Sequence, residues 1–232
     1  MKRKLYSAYT DATVRLGVPH AMYLTQDSLS RWQRDHLCGN CEVREQGLFW
    51  VVTKSKAIFH RYPAWDTEVE IRHGFAPAGR IRLDYTVEMS DEKGVAVAVR
   101  QEYCILDFTR HRPQKWEGII QPDLAPLPPA AFERFPEGEM TLCHTQRVLP
   151  HMIDMSGHLN NVEYVKLALD CFAADFTAAN EVAEMETHHL KECKEGETLT
   201  LWRRDEGSVS YCRILREETP VFEAKFTWRE KI

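Results

Sequence analysis

Six of the chain's eleven prolines crowd between Arg110 and Gly138: Pro113, Pro122, Pro126, Pro128, Pro129 and Pro136. Each fixes its own φ and removes a backbone donor, so this stretch cannot be a continuous helix or a central strand. It reads as an extended linker that divides the 232 residues into two modules. Each module has roughly the length of a small domain and must bury a core of its own. Hydrophobic residues at 44% and charged residues at 28% are enough for that and argue against disorder.

The two halves are written alike. In the first, Met22, Leu24, Leu29 and Trp32 give an apolar face to a helix predicted from His20 to Asp35. Strand-like segments rich in Val, Ile, Tyr, Phe and Thr follow at Leu48–Phe59, Thr67–His73, Arg80–Met89 and Val95–Phe108, separated by turn-forming residues. In the second, a strand near Met140–Leu149 leads to a helix predicted from Asn160 to Asn180. Its stripe is Val162, Val165, Leu169, Phe172 and Phe176. Strands are then expected at Met185–Glu192, Thr198–Arg204, Ser208–Arg216 and Val221–Arg229. One helix plus one antiparallel sheet, written twice, is an α+β layout produced by internal duplication. The first module is placed at residues 1–125 with most of the linker (110–138), and the second at 139–232.

Several classes are set aside by composition. Met1-Lys2-Arg3-Lys4 runs into polar residues without an apolar segment, so no secretory signal is expected. Nor does any apolar run approach the ~20 residues of a membrane span. Seven scattered cysteines, an odd number, suggest reduced thiols and a cytoplasmic setting. The net charge is −5, with a slight basic excess before Pro126 and an acidic one after it, which does not suit nucleic-acid binding.

Chemistry concentrates in Asp154-Met155-Ser156-Gly157-His158-Leu159-Asn160-Asn161-Val162-Glu163-Tyr164. Asp, Ser, His and two Asn sit at the start of an apolar helix. Asn160 or Asn161 suits an N-cap, and Gly157 allows a sharp turn before it. The amides of a helix start are suited to a developing oxyanion. Any one of these residues alone would be read as part of a capped helix and its loop; together they suggest a site.

This stretch resembles the signature of the plant and bacterial acyl-(acyl carrier protein) thioesterases, Asp-x-Asn-x-His-x-Asn-Asn-x-x-Tyr. Phe49-Trp50-Val51-Val52-Thr53, Tyr62-Pro63-Ala64-Trp65-Asp66 and Leu190-Lys191-Glu192-Cys193 resemble further landmarks of that family, in the same order. The resemblance implies a tandem double hot-dog fold, each module a sheet wrapped around a long helix. It also implies hydrolysis of a fatty acyl thioester carried by acyl carrier protein, with no cofactor and no metal. Asp154, His158 and Glu192 fall on the family's catalytic positions. Glu192 would act as general base on water, with His158 and Asp154 orienting it and the amides near Leu159 to Asn161 forming the oxyanion hole. A carboxylate suits that task better when burial or a neighbouring negative charge strengthens its hold on a proton.

One position departs from the pattern: Ser156 stands where the family has Asn. Its hydroxyl is shorter and lacks the amide's paired groups, so it either reaches the substrate through water or leaves the task to Asn160. Cys193 is the rival nucleophile. Neighbouring strand residues face opposite ways, so Glu192 and Cys193 cannot both face one site, and Glu192 is preferred. Asn160, Asn161, Trp50 and Trp65 are the expected substrate contacts. Cys38-x-x-Cys41 has no second pair at zinc spacing and is not read as a metal site, and His188 and His189 are read as packed or surface histidines. Arg61, Arg80, Arg82, Arg110 and Arg112 are candidates for contact with the acidic carrier, and a homodimer is expected by analogy alone. The alternatives are an acyl-coenzyme A thioesterase and a non-catalytic acyl-thioester binding protein.

Overall fold

The computed structural model describes residues 1–120 and 131–231. The chain forms two compact units, Met1–Ala131 and Phe132–Ile232. Pro122, Pro126, Pro128 and Pro129 lie outside the described residues.

In the first unit a short strand, β1 (Lys2–Lys4), precedes helix α1 (Val18–Asp35). Pro19 sits in the first turn, where its missing N–H costs nothing. Ala21, Met22, Leu24, Thr25, Ser28, Leu29 and Trp32 recur three or four apart and are buried. A six-residue helix, α2 (Asn40–Glu45), follows. Then come strands β2 (Leu48–Phe59), β3 (Glu68–Pro77), β4 (Arg82–Asp91), β5 (Gly94–Asp107) and the two-residue β6 (Pro113–Gln114). The sheet is antiparallel, in the order β1-β3-β4-β5-β2, with β6 paired to the end of β5. Helix α1 is fixed to it by a 2.7 Å hydrogen bond between Ser28 Oγ and Tyr85 Oη and by Trp32 against Phe75, centroids 4.6 Å apart.

The second unit contains β7 (Thr141–Arg147), α3 (Asn161–Leu169), α4 (Ala174–Ala179), β8 (Asn180–His189), β9 (Thr198–Glu206), β10 (Val209–Arg216) and β11 (Thr219–Glu230). Its strand order is β8-β11-β10-β9-β7, again antiparallel. Helix α3 packs on β10 and β11, against a sheet face that includes the fully buried Phe222 and Phe226. Each buried aromatic contributes roughly 1.5–3 kcal/mol of hydrophobic stabilisation.

The structure corrects two expectations. The helix foreseen from Asn160 to Asn180 is two helices, broken between Asp170 and Ala173, where Ala173 turns extended (φ −67°, ψ 154°). Packing decides this: the break lets Phe172 and Phe176 flank Trp228 at centroid distances of 4.7 and 4.9 Å. Arg203 donates to the freed Cys171 carbonyl. The strand foreseen to end at Glu192 ends at His189, because the amides of Leu190 and Lys191 both turn to the Val221 carbonyl. The described ends of the proline-rich stretch are each anchored to a unit. Trp116 Nε1 donates to Gly79 O at 2.7 Å in the first unit. In the second, Glu133 N donates to Glu186 Oε1 at 2.7 Å and Phe135 stacks on His188 at 4.4 Å. That cover buries the face of β8 that alternation would have left to solvent.

Candidate functional site in the second unit

The site is built from two loops. The first joins a single 3-10 turn at Pro150–Met152 to the start of α3. Ile153 and Leu159 pair as an isolated antiparallel bridge, so the five residues between them form a tight loop. Asp154 N donates to His158 O at 2.9 Å and Gly157 N to Asp154 O at 3.0 Å. Gly157 takes φ +81°, where a side chain would be strained. The Asp154 carboxylate accepts the Ser156 N–H at 2.8 Å. Asp154 thus shapes the turn that presents His158, and the exposed Ser156 takes part through its backbone.

Asn160 is the N-cap of α3, its Oδ1 accepting from Val162 N at 2.9 Å. The amides expected to serve an oxyanion are mostly committed. Leu159 N donates to Cys193 O at 2.8 Å, Asn160 N to Met152 O at 2.9 Å and Glu163 N to Asn160 O at 2.9 Å. Asn161 N–H is the amide at this helix start that engages no acceptor among the described residues. The helix dipole adds to its pull on a negative charge.

The second loop follows β8. Leu159 N and Cys193 O bind it to the first, and the result places His158 Nε2 3.3 Å from Glu192 Oε2. Its backbone is held by Arg216, whose Nη1 donates to Glu192 O at 3.1 Å and to both Glu197 carboxylate oxygens at 3.0 Å. Burial alone would raise the Glu197 carboxyl. The Lys194 amide and the Arg216 guanidinium outweigh it and hold the group below the usual carboxylate range. Arg216 and Glu197 carry no motif, and nothing in their spacing pointed to this role.

Glu192 and Cys193 face opposite ways, but as loop residues rather than through strand alternation. The Glu192 side chain is 45% exposed beside His158, so the burial a general base was expected to enjoy is not there. Cys193 is fully buried, and burial pushes its thiol up, which disfavours a thiolate nucleophile. Both histidines of the His188-His189 pair are packed: His188 Nε2 lies 3.0 Å from Glu186 Oε1, and His189 meets Tyr164 and Phe222 edge-on.

Trp50 and Trp65 belong to the first unit. Trp50 donates to Cys38 O at 2.8 Å and packs on Phe75 and Tyr103. Trp65 is 49% exposed and meets the Tyr6 ring edge-on. Of the five arginines expected at the surface, Arg61 is committed to Asp91 at 2.7 Å and to Gly94 O. Arg80, Arg110 and Arg112 are exposed, and Arg82, also exposed, pairs with Glu102 at 3.4 Å. Arg80 lines a depression of about 500 Å³ with Leu48, Ile81 and Lys115. No helix among the described residues is long and apolar enough to cross a membrane.

Two successive units, each a run of antiparallel strands packed on its own helix, make up a tandem double hot-dog fold. An acyl-ACP thioesterase from Bacteroides thetaiotaomicron has the same fold, with a TM-score of 0.88 at 15% identity, covering 99% of this chain and 96% of that one. The 12:0-ACP thioesterase of Umbellularia californica matches with a TM-score of 0.84 at 15% identity, over 100% of this chain and 96% of that one. The chain belongs to the acyl-ACP thioesterase family, whose N-terminal domain matches residues 2–121 and whose C-terminal domain matches residues 140–230. Among curated relatives, the chloroplastic palmitoyl-acyl carrier protein thioesterase of Cuphea hookeriana is 22% identical over 165 residues. That match takes in 66% of this chain but 40% of the relative, so the matched stretch spans well under half of that protein.

Proposed function

We propose that this protein hydrolyses the thioester of a fatty acyl group carried on acyl carrier protein, releasing the free fatty acid. The observation that carries the reading is the 3.3 Å approach of His158 to Glu192 beside an uncommitted helix-start amide, in a chain of this family. Glu192 takes a proton from water as the water oxygen attacks the thioester carbonyl carbon. His158 holds the carboxylate in position, and Asp154 holds His158 through the backbone of the turn. The carbonyl π electrons move onto oxygen, and the Asn161 N–H, with the Asn160 side-chain amide, stabilises the resulting oxyanion. Collapse reforms the carbonyl and breaks the C–S bond. The departing thiolate of the phosphopantetheine arm takes up the proton held by Glu192.

The exposed Arg80, Arg110 and Arg112 supply positive charge suited to an acidic carrier. The chemistry calls on the chain's own side chains and backbone amide and on water. The test is free-thiol release from acyl carrier proteins loaded with chains of graded length, with matched acyl-coenzyme A substrates alongside. Glu192→Gln keeps the shape but cannot take the proton, and His158→Ala removes its support. Each should cost about 10²–10⁴-fold in kcat. Faster turnover of the coenzyme A esters would reassign the carrier. Tight binding with no release at any length would leave an acyl-thioester binding protein.

A further inference from the structure

Glu192 lies in a loop, and a loop holds a side chain in place only where its backbone groups are pinned. Leu190 N and Lys191 N both turn to the Val221 carbonyl. The next carbonyls accept from separate elements. Lys191 O accepts from the Tyr164 hydroxyl at 3.3 Å, Glu192 O from Arg216 Nη1 at 3.1 Å, and Cys193 O from Leu159 N at 2.8 Å. The Cys193 contact joins the loop to the turn of His158, and Arg216 reaches it from β10. The Lys191 contact comes from helix α3, and the reaction described above makes no use of it.

Tyr164 stands one helical turn after the Asn160 cap and on the same side of α3. Its ring is buried, stacked on Phe222 with centroids 5.2 Å apart and met edge-on by His189 at 5.7 Å. Burial pushes His189 down to about 3, so the rings around the phenol carry no charge near neutrality. A buried phenol needs a partner for its hydroxyl, and this one finds it in the Lys191 carbonyl. Burial also pushes the phenol up, so it keeps its proton and stays a donor. Phenylalanine at this position would fill the same space and leave that carbonyl without its donor.

We infer that Tyr164 is a positioning residue for the hydrolysis proposed above. Its hydroxyl fixes the Lys191–Glu192 peptide, so that the Glu192 carboxylate keeps its place relative to the Asn161 N–H. The inference rests on the roles given there to Glu192 and Asn161. Helix α3 then serves both parts of the reaction: its first amide meets the oxyanion, and one turn later its phenol holds the base. A general base and an oxyanion donor act on the same carbonyl group, so an error in their separation costs rate directly. At 3.3 Å the bond is long for a hydroxyl. Its loss should therefore show in the placement of Glu192 more than in the stability of the fold.

The test is Tyr164→Phe, alone and combined with Glu192→Gln, in the full chain. Thiol release is measured from acyl carrier protein loaded with the chain length that wild type turns over fastest, and amide hydrogen exchange is followed on the same proteins. The single change should lower kcat about tenfold, since a misplacement of about 1 Å costs on the order of 100-fold, and leave KM within about twofold. In the Glu192→Gln background it should change the residual rate by less than about twofold, because Tyr164 acts through the carboxylate already removed. Exchange at residues 190–194 should quicken several-fold while the α3 amides keep their protection. A kcat close to that of wild type would overturn the inference, as would an equal loss in both backgrounds, the mark of a merely structural role. Unchanged exchange at residues 190–194 would overturn it whatever the turnover. No thiol release from wild type at any chain length, with exchange quickened in Tyr164→Phe, would sink the hydrolytic reading and the catalytic role with it, while the anchoring contact stood.

Discussion

Replacing Arg216 by alanine removes the group that holds the Glu192 loop in place. One guanidinium nitrogen serves three acceptors: the Glu192 carbonyl at 3.1 Å and both oxygens of Glu197 at 3.0 Å. Hydrogen bonds to charged groups are worth about 1.5–3 kcal/mol when well sheltered. Here the two side chains are 30% and 27% exposed, and solvent screening brings the expected loss down to about 1–2 kcal/mol. For a chain of this size that is a fall in Tm of roughly 2–8 °C. The effect on catalysis should be larger than the effect on folding. Displacing a general base by about 1 Å costs on the order of 100-fold in turnover, and the fall should appear in kcat, since Arg216 touches no proposed substrate contact.

The pH dependence gives an independent check. The folded state holds Glu197 below its ordinary value of 4.5, so ionising it favours folding. That stability is fully present above the unfolded value and is lost as pH falls through the lower folded value. The Tm gap between wild type and Arg216→Ala should be widest near neutrality and close as the pH drops below 4.5. Thermal denaturation at several pH values, with thiol release measured at the upper ones, covers both halves. A variant with wild-type kcat would refute the claim that Arg216 positions Glu192. A Tm gap that stays constant into acid would show that the Glu197 pairing is not its source.

Asn160→Ala should lose about 1 kcal/mol by removing the N-cap of α3, and Asn160→Asp, which keeps an acceptor oxygen, should recover most of it; urea denaturation followed by tryptophan fluorescence reads both. Cys193→Ser should retain thiol release, because the native thiol is buried and pushed up; loss of release in a variant with an unchanged melting profile would hand the chemistry to sulfur. Ser156→Ala should change kcat by less than about threefold, since a typical hydrogen bond is worth only ~1 kcal/mol and this serine's contact in the turn is its backbone N–H. A drop of a hundredfold would mean that the hydroxyl itself reaches the substrate.

The elements that could be read from sequence are those whose pattern is set by the face they bury. Strand β2 runs from Leu48 to Phe59 as its composition predicts, and α1 begins two residues before the expected His20 because Val18 and Pro19 add a first turn. Elements that depend on a distant partner were not legible. Strand β1 is three residues long and exists because β3 pairs with it, in the register Arg3 to Val69. The break in the second helix was hidden for the opposite reason. Phe172 and Phe176 continue a helical spacing, yet the stripe is equally well satisfied by two short helices around Trp228. Periodicity says which residues are buried together, not whether one axis carries them.

The site divides in the same way. Asp154, Ser156, His158 and Asn160 lie within seven residues, and their roles in the turn and cap follow from local rules that any such sequence obeys: an Asp closing onto an amide two residues on, a Gly at positive φ, an Asn at the N-cap. Glu192 was within reach only through resemblance, because its approach to His158 depends on one backbone bond between loops, Leu159 N to Cys193 O. That bond in turn depends on burying Leu159 and Cys193, both almost fully enclosed. The reason Cys193 sits next to Glu192 is then structural: a small apolar side chain anchors the loop from below while its neighbour faces solvent and His158. A larger residue at position 193 should therefore disturb Glu192 more than a polar one of the same size, since in a close-packed interior it is extra volume that displaces the backbone.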